Sequence, residues 1–151
     1  MIPADLLLDA YMNAYFPMAE PSDGKLYWYK PEMRAIFKLE SIKTPRSVRK
    51  LINSGYFEIQ VDKNFEQVIR SCSNRADTWI SQEIIESYIN LYRLGWAHSV
   101  ETYFNGELAG GLYGVAIGGA FFGESMFYKV SNASKVAFYA LTERLRSRGY
   151  I

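Results

Sequence analysis

The sequence holds one cysteine, Cys72, and one histidine, His98. A disulfide framework is therefore excluded, and a reducing compartment is expected. It contains no Cys-x-x-Cys pair, no His-rich metal set and no glycine-rich phosphate loop ending in Lys. Charge of neither sign dominates. The net charge is +1 over 151 residues, so a nucleic acid would have to meet a local patch rather than a global field. No run approaches the roughly 18 apolar residues of a membrane span. The start, Met1-Ile2-Pro3-Ala4-Asp5, lacks the basic segment of a signal peptide. A monomeric, cytoplasmic protein with no membrane contact is expected.

Aromatic rings are plentiful: 12 Tyr, 9 Phe and 3 Trp. They either fill a core or line a pocket. Apolar spacing predicts helices over 3–14, 45–53, 64–72, 81–94 and 132–148. Phe16-Pro17 should close the first, since a residue before proline avoids the α region. Gly55 and Gly95 stand where helices stop, and Ser131 or Asn132 is placed to cap the last. Strands are predicted at 26–29, 34–39, 57–61, 98–104, 107–116 and 120–127. Asn105-Gly106 is a strong hairpin turn, because both central residues of a type I′ turn need positive φ. Gly118-Gly119 makes the next turn. Gly149-Tyr150-Ile151 reads as a turn into one more strand, so a continuation of the sheet is expected beyond Ile151.

Few residues carry chemistry on their own. A lone His98 in an apolar strand reads as a satisfied core residue. A Cys72–His98 nucleophilic pair is conceivable, but nothing local orients the imidazole. Gly110, Gly111, Gly114 and Gly123 interrupt two strands otherwise built from large side chains. Glycine weakens a strand unless the sheet bulges or something approaches its backbone closely, and both remain open. Glu124 and Ser125 sit between apolar neighbours. The carboxylate is either solvated or turned inward to meet a ligand amine or hydroxyl. Arg46, Arg49 and Lys50 fall at i, i+3 and i+4, with Lys43 just upstream. They form a solvated face or a track for phosphates.

Taken together, several segments resemble the leucyl/phenylalanyl-tRNA–protein transferases. They are Tyr15-Phe16-Pro17-Met18, Trp28 with Pro31 and Met33-Arg34-Ala35, Thr78-Trp79-Ile80, Ala97 to Glu101, and Gly110 to Gly114. Phe121-x-Gly123-Glu124-Ser125-Met126-Phe127 and Asn132-Ala133-Ser134-Lys135 complete the set. The resemblance implies an α/β (α+β) fold. A small N-terminal lobe over 1–61 would precede an acetyltransferase-like (GNAT) mixed-sheet lobe over 62–151. It implies transfer of Leu, Phe or Met from aminoacyl-tRNA to the N-terminal Arg or Lys of a protein, marking it for N-degron degradation. The ester donor is already activated, so no cofactor or metal is implied.

By the same similarity, Leu112, Phe121, Phe138 and Leu141 would wall a pocket for the donor side chain, with Trp79 and Met18 at its rim. Gly123, Glu124 and Ser125 would meet the aminoacyl-adenosine, and Lys43, Arg46, Arg49 and Lys50 the tRNA. Met18 departs from the Trp of some members, an apolar exchange that retunes rather than abolishes a pocket. The family's Asp-x-Gln, which serves the attacking amine, is expected beyond Ile151, so no catalytic residue is assigned. A truncated aminoacyl-tRNA-binding module is the alternative. An acetyltransferase is disfavoured, because the link from Met126 to Ala133 has no glycine for a pyrophosphate loop.

Overall fold

A computed structural model of the protein describes residues 1–33, 36–74 and 78–150. The element order is α1 (Ala4–Met12), β1 (Phe16–Ala19), β2 (Leu26–Tyr29), a 3-10 turn (Leu39–Ser41), α2 (Arg46–Ser54), β3 (Glu58–Val61), α3 (Phe65–Ser73) and α4 (Gln82–Arg93). Then come β4 (Ala97–Phe104), β5 (Glu107–Ile117), β6 (Ala120–Tyr128) and α5 (Ala133–Ser147). β1 and β2 form a two-stranded ribbon. The other four strands form one sheet in the order β3-β4-β5-β6. Every pair is antiparallel, so the expected mixed sheet is an antiparallel one within these residues. A division at 61/62 assigns β3 to the N-terminal lobe, yet β3 is an edge strand of this sheet.

The sheet has a core on each face. On one side, Tyr113 and Val115 pack with Phe65, Val68, Ile69 and Cys72 of α3, Ile84, Tyr88 and Leu91 of α4, and Leu7 and Tyr11 of α1. In α4, Ile84, Ile85, Tyr88 and Leu91 share a helical stripe, and all are buried. On the other side, α5 buries Ala133, Val136, Ala137 and Leu141 against Ala109, Val100 and Leu112. Small residues on α5 meet glycine on the sheet. A Cβ at Gly110 would stand 2.6 Å from Ala133 Cβ. One at Gly114 would stand 2.3 Å from the Phe122 carbonyl oxygen. A Cβ at Gly111 would stand 2.8 Å from the Val100 carbonyl oxygen, so close approach of α5, β6 and β4 to β5 explains three of the four strand glycines.

Several boundaries differ from the predicted ones for identifiable reasons. α1 stops at Met12 because Ala14 takes a left-handed conformation, φ 64°. Phe16-Pro17 therefore lies beyond the helix end and instead opens β1, where proline is tolerated in a two-stranded ribbon. Residues 34 and 35 of the predicted 34–39 strand lie outside the described residues. Residues 36–38 form no strand, and 39–41 are a 3-10 turn with no sheet partner. Leu39 is buried, and Arg146 of α5 donates to its carbonyl from Nε (3.1 Å) and Nη2 (2.5 Å), and from Nη2 to that of Ile42 (2.6 Å). At α5 the N-cap position is Asn132, at φ 71°, and its side chain makes no capping bond.

His98 is half-exposed rather than a core residue. Its Nδ1 lies 2.8 Å from Asp62 Oδ2. Asp62 adopts a left-handed φ of 58° and follows the end of β3. Its Oδ1 accepts from Ser99 N (2.9 Å), and its carbonyl accepts from the Tyr92 hydroxyl (2.8 Å). One residue on, Lys63 N donates to the fully buried Glu101 (3.0 Å), which also accepts from Ser99 Oγ. These bonds fix the turn from β3 into α3.

This packing is open to two tests. Gly110→Ala and Gly114→Ala should each lower stability by about 1–3 kcal/mol, as overpacking does, read as a fall in Tm. The Asp62 hydrogen bond raises the His98 pKa above its ordinary 6.5, against the pull of partial burial. The His98–Asp62 contribution is thus complete below pH 6.5 and fades as pH climbs through the raised folded value. Thermal melts should show this loss in the unsubstituted protein and a flatter profile in Asp62→Asn. An identical profile in both would refute the assignment.

Candidate functional site

Antiparallel pairing places paired residues on one face of a sheet, so the register of β5 against β6 decides where the candidate residues lie. Tyr113 pairs with Ser125, but Gly114 pairs with Gly123. Glu124 is the extra residue of a bulge. A bulge swings the side chains on either side of it. Leu112, Met126 and Gly123 then belong with the α5 face, and Ser125 with the α3–α4 face. Glu124 reaches the latter, where its Oε1 accepts from the Tyr11 hydroxyl of α1. Tyr11 in turn contacts the Tyr88 hydroxyl of α4. Both bonds are satisfied when Tyr88 donates to Tyr11 and Tyr11 donates to Glu124. Burial first, and then the Glu124 carboxylate, push the Tyr11 phenol well above its ordinary range, which keeps the proton on the donor.

Neither tyrosine is among the residues singled out from the sequence. The signal was available in kind: a buried tyrosine needs a partner for its hydroxyl. Only the fold shows that the partner is Glu124.

The candidate residues fall into two groups across the sheet. Leu112, Phe121, Phe138 and Leu141 share one cluster on the α5 face, with Val100, Ala137 and Leu145. The structure brings these four side chains together. Leu112 and Leu141 are buried, whereas Phe121 and Phe138 are partly exposed. Trp79 packs with the opposite core, and its carbonyl accepts from Ala19 N at 3.0 Å, which brings Met18 of β1 alongside. Gly123 is exposed on β6, an edge strand of the sheet. A Cβ there would meet nothing within 4 Å, and φ is not positive. Neither packing nor a turn therefore requires glycine at 123.

A surface depression lies away from both groups. It spans about 1090 Å³ between α3 and the end of β6, beside Asn64, Gln67, Arg70, Phe127 and Lys129. Arg46, Arg49 and Lys50 line a shallow concavity with Asn53 and Ser54 on α2, and Lys43 is exposed in the preceding loop. Arg49 is paired with Glu143 of α5. Cys72 is buried in the α3–α4 core, while the His98 ring is held by Asp62, so no Cys–His pair is assembled. No described helix is long and apolar enough to cross a membrane.

Comparison with known proteins adds a second line. Residues 36–151 match the family model for leucyl/phenylalanyl-tRNA protein transferase, and residues 1–32 match that of its N-terminal domain. The leucyl/phenylalanyl-tRNA–protein transferase of Chlorobium luteolum is 56% identical over all of this chain and 80% of its own length. That of Gloeobacter violaceus is 54% identical over 97% of this chain and 76% of its own. That of Rubrobacter xylanophilus is 49% identical over 97% and 77%. Among solved structures, the PaiA N-acetyltransferase of Thermoplasma acidophilum, in complex with coenzyme A, aligns over 62% of this chain and 75% of its own. It does so at 12% identity and a TM-score of 0.42. With both family models matched and relatives aligned along its length, the chain belongs to the leucyl/phenylalanyl-tRNA protein transferase family.

Proposed function

We propose that the protein is an aminoacyltransferase that moves Leu, Phe or Met from aminoacyl-tRNA to the N-terminal Arg or Lys of a protein, tagging it for N-degron degradation in the cytoplasm. Membership of the family supports the reaction class. The observation that carries the site is the pairing of an exposed Gly123, free of described packing contacts, with a tyrosine-held Glu124 at the bulge of β6.

The donor ester lies across β6 at the bulge. Its amino-acid side chain rests on the apolar α5 face, against Phe121 and Phe138, with Leu112 and Leu141 behind. Burying a Leu or Phe side chain is worth about 1.5–3 kcal/mol, and one misfit methylene costs about 1–3 kcal/mol of discrimination. Its backbone passes over Gly123, where a side chain would obstruct it. Its terminal adenosine or amino group meets Glu124 and Ser125 on the other face, with Trp79 and Met18 beside them. Tyr11, fixed by Tyr88, holds the Glu124 carboxylate in one orientation.

The acceptor's neutral α-amine attacks the ester carbonyl, the C–N bond forms as the C–O bond to the tRNA breaks, and a proton from the amine ends on the 3′ oxygen, which leaves as a hydroxyl. Within this chain the contribution is positioning, which supplies rate by holding the reactants in near-attack geometry. Arg46, Arg49, Lys50 and Lys43 follow the tRNA phosphates. The smaller N-terminal unit contributes Tyr11 and Met18, and the larger contributes the sheet.

Radiolabelled leucyl-tRNA and a protein bearing N-terminal Arg test the reading. Label should enter the protein. Gly123→Ala should keep its Tm and lose at least about tenfold in kcat/KM, and Glu124→Gln should lose transfer with the fold intact. No transfer would reject the enzyme. Binding of puromycin, an aminoacyl-adenosine mimic, without transfer would leave only a binding module. Replacing Arg46 or Lys50 by Ala should reduce the slope of log K for tRNA against log salt by about 0.7–0.9 for each phosphate no longer neutralised. An unchanged slope would move the tRNA off α2.

A further inference from the structure

Phe37 is a large apolar side chain left 65% exposed, and its neighbour Ile36 is 83% exposed. Isolated exposed apolar residues are ordinary. Phe37 is distinguished by where it is held. Its ring meets that of Phe138 edge to face, with centroids 6.1 Å apart and planes at 73°. Phe138 belongs to the cluster with Phe121, Leu112 and Leu141. The chain around Phe37 forms no helix or strand, yet it is anchored just downstream. Leu39 is buried, and the Arg146 guanidinium grips the carbonyls of Leu39 and Ile42. That clamp to α5 sets Phe37 over the solvent side of Phe138.

We propose that Phe37 is the outer wall of the donor pocket and selects for donors with a flat aromatic side chain. The inference rests on the functional reading above and extends it to a residue outside the candidate set. Phe121 and Phe138 leave the α5 face partly open, and a ring standing against Phe138 closes the side that the sheet and helix do not. An aromatic donor seated there takes an edge-to-face or offset contact with Phe37, an arrangement that rings favour beyond simple burial. A branched aliphatic donor takes only the apolar contact. Phe37 touches the donor's side chain and not the reacting ester, so its influence belongs in substrate binding rather than in the chemical step. Arg146 acts through the 3-10 turn, as a positioning residue.

The test compares phenylalanyl-tRNA with leucyl-tRNA as donors for the unsubstituted protein, Phe37→Ala and Phe37→Leu. Phe37→Ala should leave Tm unchanged, since the side chain is mostly exposed. It should raise KM for the phenylalanyl donor about tenfold, with a smaller rise for the leucyl donor and little change in kcat. Phe37→Leu should restore the leucyl donor more fully than the phenylalanyl donor. In Phe37→Trp, indole emission should change on saturation with puromycin. A donor ratio unmoved by Phe37→Ala, or emission blind to puromycin that the protein binds, would overturn the assignment. Failure of the parent reading has a different signature. In that case the unsubstituted protein neither transfers from either donor nor binds puromycin, and the role of Phe37 falls with it.

Discussion

The single residue inserted into β6 governs the arrangement of the site. Without the bulge, Gly123, Glu124 and Ser125 would alternate regularly. The carboxylate would keep the facing set by an uninterrupted ladder with β5. With it, Gly123 pairs with Gly114 on the α5 side, while Ser125 pairs with Tyr113 on the other. Glu124 lies between them and is drawn to the α1–α4 side by the Tyr11 hydroxyl. Bulges bend a strand and increase its twist. Gly114 tolerates the bend because it carries no Cβ to strike the Phe122 carbonyl. The glycine and the carboxylate of one short motif thus serve opposite faces.

The bond from Tyr11 also joins distant parts of the chain. α1 enters the larger core through Leu7 and Tyr11, and Tyr11 packs against Phe122 at 5.2 Å between centroids as well as reaching Glu124. The Ala19–Trp79 backbone bond adds a second tie between the ribbon and the segment before α4. On the opposite face, α2 reaches α5 through buried Val48 and the Arg49–Glu143 pair, and the 3-10 turn is fastened to α5 by Arg146. Residues from the first third of the sequence are thereby fixed on both sides of β6.

Local elements were legible because their signals are local. Asn105-Gly106 turns the β4–β5 hairpin with both residues at positive φ, and Gly55 follows α2 in the left-handed conformation. The grouping of Leu112, Phe121, Phe138 and Leu141 was legible through family resemblance, and they do share a cluster. What escaped was non-local. The register shift that turns Glu124 inward depends on β5 meeting β6. The partnership of His98 with Asp62 depends on β3 lying beside β4. The predicted strand near 36–39 failed because β-rich composition supplies no partner, and Arg146 offered the carbonyls of Leu39 and Ile42 another bond. The hydroxyl contacts of Tyr11 with Tyr88 and Glu124 likewise join residues far apart in the sequence.

A comparison of three acidic residues separates scaffold from site. Glu101 is fully buried, and its oxygens meet Ser99 Oγ and Lys63 N. Burial raises its pKa, a consequence of taking a charge out of water for the sake of a turn. Asp62 is partly exposed, but both its oxygens serve the β3–β4 junction through Ser99 N and His98. Glu124 is half-buried on β6, beside a glycine that no described packing contact or turn requires. Its bond from Tyr11 orients the carboxylate without closing a turn or pairing a strand. Glu124 stands outside the regular ladder pairing of β5 with β6 and is held by a side chain of α1. Neither Asp62 nor Glu101 has that setting, although all three carry the same functional group.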